Sequence, residues 1–151
     1  MAKAMDVANF LIHLRNSDEE QGQYFSLSNL KLQKLLYYCQ GGHFRWDGEK
    51  LIKDKRFEAW DYGPVIEEVY KNFKKYGQND IYGNDVEINL NNNEKETVKA
   101  IWEQLKTSHP FDLVKSTHKE SPWINARKQN RIFISNDDIK EFFTIQEEEV
   151  N

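Results

Sequence analysis

The sequence predicts a mainly α-helical protein: a single compact helical domain around a buried central helix, with one or two short strands. Apolar residues recur at helical spacing along most of the chain, whereas strict two-residue alternation occurs at Val86, Ile88 and Leu90. Residues 30–42 (LKLQKLLYYCQGG) carry apolar side chains on two sides of one helix, which demands packing on more than one face. The 151 residues contain no repeat, low-complexity run or linker, so residues 1–151 read as one domain.

Each element has its own signal. Val7, Phe10, Leu11 and Leu14 predict a first helix over residues 5–14, fading into a polar, mobile connection at 16–22. Ser26 or Ser28 suits the N-cap of the central helix, and Asp47-Gly48 ends it. Gly41 and Gly42 inside that helix either kink it or admit a close neighbour. Residues 51–60 read as an extended connector anchored by Phe57 and Trp60. Tyr62-Gly63-Pro64 predicts a turn opening a third helix, with Pro64 at its first position, Val65, Val69, Tyr70 and Phe73 inside, and Gly77 as its stop.

Val86, Ile88 and Leu90 then predict a short strand. Asn93 with Glu96 resembles a capping pair for a helix burying Val98, Ile101, Trp102 and Leu105. Pro110 opens a shorter helix carrying Phe111, Leu113 and Val114, and Ser121-Pro122 starts another. Arg131 to Ile134 reads as a brief extended piece. Ser135 with Asp138 caps a last helix burying Ile139, Phe142 and Phe143, and the acidic tail Glu147–Glu149 is expected to fray.

Composition narrows the function classes. A net charge of −4 argues against a dedicated nucleic-acid binder, which shows a basic footprint. Cys39 is the only cysteine, so neither an internal disulfide nor a cysteine-rich zinc site can form. No signal peptide or membrane-spanning run is visible, which makes the cytoplasm the expected location.

Few residues suggest chemistry. Lys34 projects from an apolar stripe, between Leu30 and Tyr38, each four residues away. A buried ammonium is costly unless partnered, so Lys34 either snorkels to water or meets carbonyls or a carboxylate, with Glu58 or Asp61 as the expected partner. Cys39 and His118, oriented by Asp61 or Glu58, could form a thiol hydrolase, but a nucleophile inside a packed helix lacks access. A small-substrate enzyme using Lys34, His118 and Asp61 is a further reading. His118 is read as structural, bonded within the turn that runs from Thr117 to Trp123. Trp60, Tyr62 and Trp123 either anchor the core or line a partner-binding pocket. Lys71, Lys74 and Lys75, with Lys119, Arg127 and Lys128, could contact nucleic acid, but read better as solvated faces; Glu67 and Lys71 form an i, i+4 pair.

Three blocks, residues 30–41 (LKLQKLLYYCQG), 57–65 (FEAWDYGPV) with Tyr70, and 117–123 (THKESPW) with Ala126-Arg127, resemble the Panacea domain of SocA-like antitoxins, also described as phage-associated proteins of bacteria. The resemblance spans about residues 5–143 and is carried by Gln33, Lys34, Tyr37, Tyr38, Trp60, Tyr62, Gly63, Pro64, His118 and Trp123. It implies a helical fold and neutralisation of a cognate toxin protein, an alarmone-synthetase-like enzyme among the options, by direct binding. Some family members instead act as adaptors that deliver the toxin to a protease. It implies no enzymatic activity, no catalytic residue and no cofactor or metal. A homo-oligomer stays open, nucleic acid and membrane are not expected partners, and the matched region leaves no room for the DNA-binding segment many relatives carry.

Overall fold

The computed structural model describes residues 2–83 and 85–150, with side chains through Ile145. Helix α1 spans Ala4–Glu20 and α2 spans Asn29–Asp47. A hairpin of β1 (Glu58–Trp60) and β2 (Gly63–Val65) follows, then α3 (Glu67–Phe73) with a 3-10 turn at Lys74–Tyr76. The chain finishes with α4 (Asn92–Leu105), α5 (Pro110–His118), α6 (Ser121–Lys128) and α7 (Asn136–Val150).

Helix α2 is the axis of the fold, as its two apolar stripes require. It packs against α1, α3, α4, α5, α7 and β2. Leu32, Leu35, Leu36, Tyr37 and Cys39 are fully buried on it, and each large side chain withdrawn from water contributes about 1.5–3 kcal/mol. The Ser28 hydroxyl accepts the Lys31 N–H at 3.3 Å, and Gly48, at φ +74°, ends the helix. The helix is unbroken at Gly41, where a Cβ would lie 2.3 Å from the Phe143 ring. The glycine therefore serves close packing: α7 lays Phe143 on bare backbone, and that ring meets Tyr37 edge-on at 5.7 Å.

Several sequence expectations are corrected. The connection after α1 is helical to Glu20, because Arg15 is fully buried and ties the helix to the chain around it. Its guanidinium donates to the Phe25 carbonyl at 3.0 Å and to Glu19 at 2.9 Å, and lies 4.1 Å over the Tyr82 ring. No strand forms over residues 86–90. That stretch has no regular secondary structure and no partner strand among the described residues; Asp6 accepts the Asn89 N–H, and Ile88 and Leu90 rest on the core while Val86 is exposed. Pro64 lies in β2, and α3 begins three residues later with Ile66 as its N-cap. The capping box of α4 is Asn91 with Glu94, two residues earlier than expected. Glu120, not Ser121, takes the N-cap position of α6. Residues 132–134 do extend, bridging β1 through Ala59 N–H to Ile132 O and Ile134 N–H to Phe57 O, both 2.8 Å. The backbone is helical to Val150, through the tail expected to fray; the side chains of 146–150 lie outside the described residues.

Candidate partner-binding site

The hairpin is the point where the three sequence blocks meet. Its register pairs Glu58 with Val65 and Trp60 with Gly63, leaving Asp61 and Tyr62 at the tip. Gly63 has φ +99°, and a Cβ there would lie 2.6 Å from Thr117 Oγ1 and 2.9 Å from Lys34 Cε. Only glycine lets the hairpin lie this close to α2 and α5.

Lys34 fills the space beneath it. The side chain is fully buried, and Nζ donates to the Pro64 carbonyl at 2.9 Å. Burial pushes the amine down to about 7. The expected carboxylate partner is not there: Asp61 pairs with Arg127 at 2.8 Å, and Glu58 accepts from the Trp60 indole at 3.4 Å. The hairpin turns backbone, not acids, toward α2, so the snorkelling alternative falls as well. Next to Lys34, Gln33 Oε1 accepts the Ile66 N–H at 3.0 Å, and its amide donates to Asn29, which in turn donates to Tyr70 O. That chain of amides sets where α3 starts.

The outer side is clasped by α5 and α6. His118 Nε2 bonds the Asp61 carbonyl at 2.9 Å, and the imidazole stacks on Trp123 at 4.1 Å. The His118 bond therefore leaves its own turn and reaches the hairpin tip. Trp123 donates its indole N–H to Trp60 O at 2.8 Å, and Arg127 donates to Ala59 O at 3.0 Å. Among these residues Trp60 and Trp123 are half-buried, while Tyr62 is 62% exposed, so Tyr62 is not a core anchor.

Glu120 is a residue that sequence reasoning missed. It accepts the Tyr37 hydroxyl at 2.9 Å and the Tyr38 hydroxyl at 2.8 Å, joining α2 to the start of α6. Burial pushes its carboxyl up to about 7, against the stabilising effect of the two hydroxyls. An acid beside Lys119 at a helix start reads as solvated, and only the two adjacent tyrosines hinted at a buried acceptor.

A groove of about 550 Å³ opens beside the hairpin. Its floor holds Asn29, Gln33 and Val65, and its walls hold Trp60, Tyr62, Tyr70 and Phe111. Trp60 and Tyr70 meet edge-on at 5.1 Å, Tyr62 and Phe111 at 6.4 Å. Phe111, carried as expected on the helix that Pro110 opens, is 51% exposed and lines the groove. Of the predicted site residues, Gln33, Trp60 and Tyr62 reach this groove. Lys34, Gly63, Pro64, His118 and Trp123 brace the hairpin behind it, while Tyr37 and Tyr38 act through Glu120.

The geometry gives little support to the enzyme readings. Cys39 is fully buried, and burial pushes its thiol up, away from the reactive thiolate. The Asp61 carboxylate pairs with Arg127, and His118 meets only its carbonyl. Lys71 is paired with Glu67 at 2.5 Å. Among the described residues no group of three or more His, Cys, Asp or Glu is placed to hold a metal, and no helix is long and apolar enough to cross a membrane.

Comparison with known proteins agrees with the blocks that converge here. The chain is 39% identical over 74 residues to Antitoxin SocA of Caulobacter vibrioides (strain NA1000 / CB15N), an alignment covering 49% of this chain and 36% of that relative. The chain thus matches little more than a third of the relative's length. No solved structure matches. The family model "Antitoxin SocA-like, Panacea domain" matches residues 32–124, more than half of the chain, from the first turn of α2 into α6, and the chain therefore belongs to that family.

Proposed function

We propose that the protein is an antitoxin that neutralises a cognate toxin by direct, stoichiometric binding, without turnover, through the groove beside the hairpin. The observation that carries this is the contrast between Tyr62 and its mounting. An exposed tyrosine sits on a hairpin tip braced from behind by Lys34, His118, Trp123 and Arg127. Rigid, exposed aromatic side chains around a concave floor are the usual anchors of protein interfaces, because they bury much area at small entropic cost. A standard interface of about 800 Å² per partner would extend beyond the groove over α3 and α5.

Co-expression with the toxin encoded by the neighbouring gene tests the proposal. Wild type should restore growth and co-purify with the toxin. The double substitution Tyr62→Ala, Phe111→Ala should lose both while melting within about 0.5 kcal/mol of wild type, as exposed residues do. Rescue by the folded double variant would remove the groove from the contact face. Rescue accompanied by protease-dependent disappearance of the toxin would point to delivery for degradation instead of direct inhibition.

A further inference from the structure

We infer that the groove recognises a segment of the toxin in which an apolar or aromatic anchor lies beside a carboxylate. This rests on the groove being the toxin-contact face, and it adds what that face selects. The first observation is charge distribution. The chain has 25 acidic residues against 21 basic ones, yet no Asp or Glu lines the groove, while Lys74 does.

Lys74 is the lysine that lines the groove: Lys71 is held by Glu67 and Lys55 by Glu68, and Lys75, which also has no ion-pair partner among the described residues, lies outside it. Lys74, on the 3-10 turn at one end of the groove, is exposed and has no ion-pair partner among the described residues. The first turn of the nine-residue α5 also lines the groove, at Pro110 and Phe111, and the N-terminal end of its dipole is positive. Asp112 of that turn is exposed and does not line the groove.

The floor explains why an apolar anchor accompanies the charge. The Asn29 and Gln33 amides are spent on Tyr70 O, on the Ile66 N–H and on each other. What the groove offers an incoming residue is Val65 on the floor and the aromatic walls, Trp60 and Tyr70 among them. Charge is read at the Lys74 end and bulk on the floor.

The test uses the intact protein and overlapping synthetic peptides that tile the toxin encoded by the neighbouring gene, with the whole toxin in parallel. Peptides held by wild type should carry Asp or Glu within a few residues of an aromatic or leucine. Lys74→Glu should weaken binding of peptide and whole toxin at least tenfold, and Lys75→Glu, outside the groove, less than twofold. Raising salt should weaken the wild-type complex, since an exposed ion pair is screened. Loss of binding in Tyr62→Ala with none in Lys74→Glu would overturn the acidic preference and leave the groove as the contact face. Unchanged toxin binding in both variants would overturn the groove itself. Selection of neutral or basic peptides, or retention of an RNA oligonucleotide through Lys74 in their place, would also overturn the inference.

Discussion

Lys34→Met separates the cost of burying an ammonium from the value of its hydrogen bond. Methionine keeps the length of the stem and removes the titrating group. In the folded protein the amine titrates at about 7, against 10.5 for an exposed lysine. At about 1.4 kcal/mol per pH unit, this corresponds to about 5 kcal/mol of destabilisation at pH 7 and below, falling to none by pH 10.5. The sign follows from proton counting. Between pH 7 and 10.5 the unfolded chain holds a proton that the folded protein has released, so wild-type stability rises with pH across that window. Lys34→Met lacks this rise, and pays instead a roughly constant 1–3 kcal/mol for leaving the Pro64 carbonyl without its donor. The variant should therefore be the more stable protein at pH 7.5 and should lose about 2–3 kcal/mol of that advantage by pH 9.5. Lys31, whose amine burial lowers to about 8, titrates in both proteins and cancels in the difference. Urea melts at the two pH values measure it. Parallel stability curves for wild type and variant would refute the reasoning, because Lys34 would then be charged in the fold and paired by something other than Pro64.

Glu120→Gln makes the opposite test of pH. A folded carboxyl titrating near 7 instead of 4.5 costs stability progressively as pH rises from 4.5 to 7, so wild type should lose about 3 kcal/mol relative to Glu120→Gln over that range; an identical slope in both proteins would count against burial of the acid. Gly63→Ala should cost roughly 3 kcal/mol or more by thermal melting, from a left-handed backbone and overpacking against Thr117, whereas Gly22→Ala, at φ +87° in open space, should cost only about 1–2 kcal/mol. His118→Ala should lower stability by about 1–3 kcal/mol through loss of the Asp61 bond and the Trp123 stack; full stability with lost toxin binding would place His118 in the contact face.

Local rules carried the sequence reading a long way. The α2 register, its Gly48 stop and the Pro110 start of α5 follow from spacing and backbone chemistry, while the choice of Ser28 over Ser26 as cap and of close packing over a kink at Gly41 comes from the fold. What could not be read locally is what the hairpin turns toward its neighbours. Residues 58–65 lack the alternation of a strand pair, and their strand character comes from pairing with each other and from the clasp of α6. The same contacts decide that Lys34 meets a carbonyl in place of a carboxylate. They also decide that Asp61 belongs to Arg127 and His118. The Val86–Leu90 alternation failed for the converse reason: a strand needs a partner strand, and none lies beside it among the described residues. The candidate site was half legible, since Gln33, Trp60, Tyr62 and Tyr70 stand in the recognisable blocks. Phe111 and Lys74 join them only through the placement of α3 and α5.

The central claim is that the protein silences its toxin by occupying it. Titrating the purified protein into a fixed amount of the purified toxin, without a protease, measures this directly. Inhibition should be complete on mixing and saturate at a fixed molar ratio, with Tyr62→Ala, Phe111→Ala shifting the curve to higher concentration. Time-dependent inactivation by substoichiometric amounts would contradict it, because one molecule would then be silencing many.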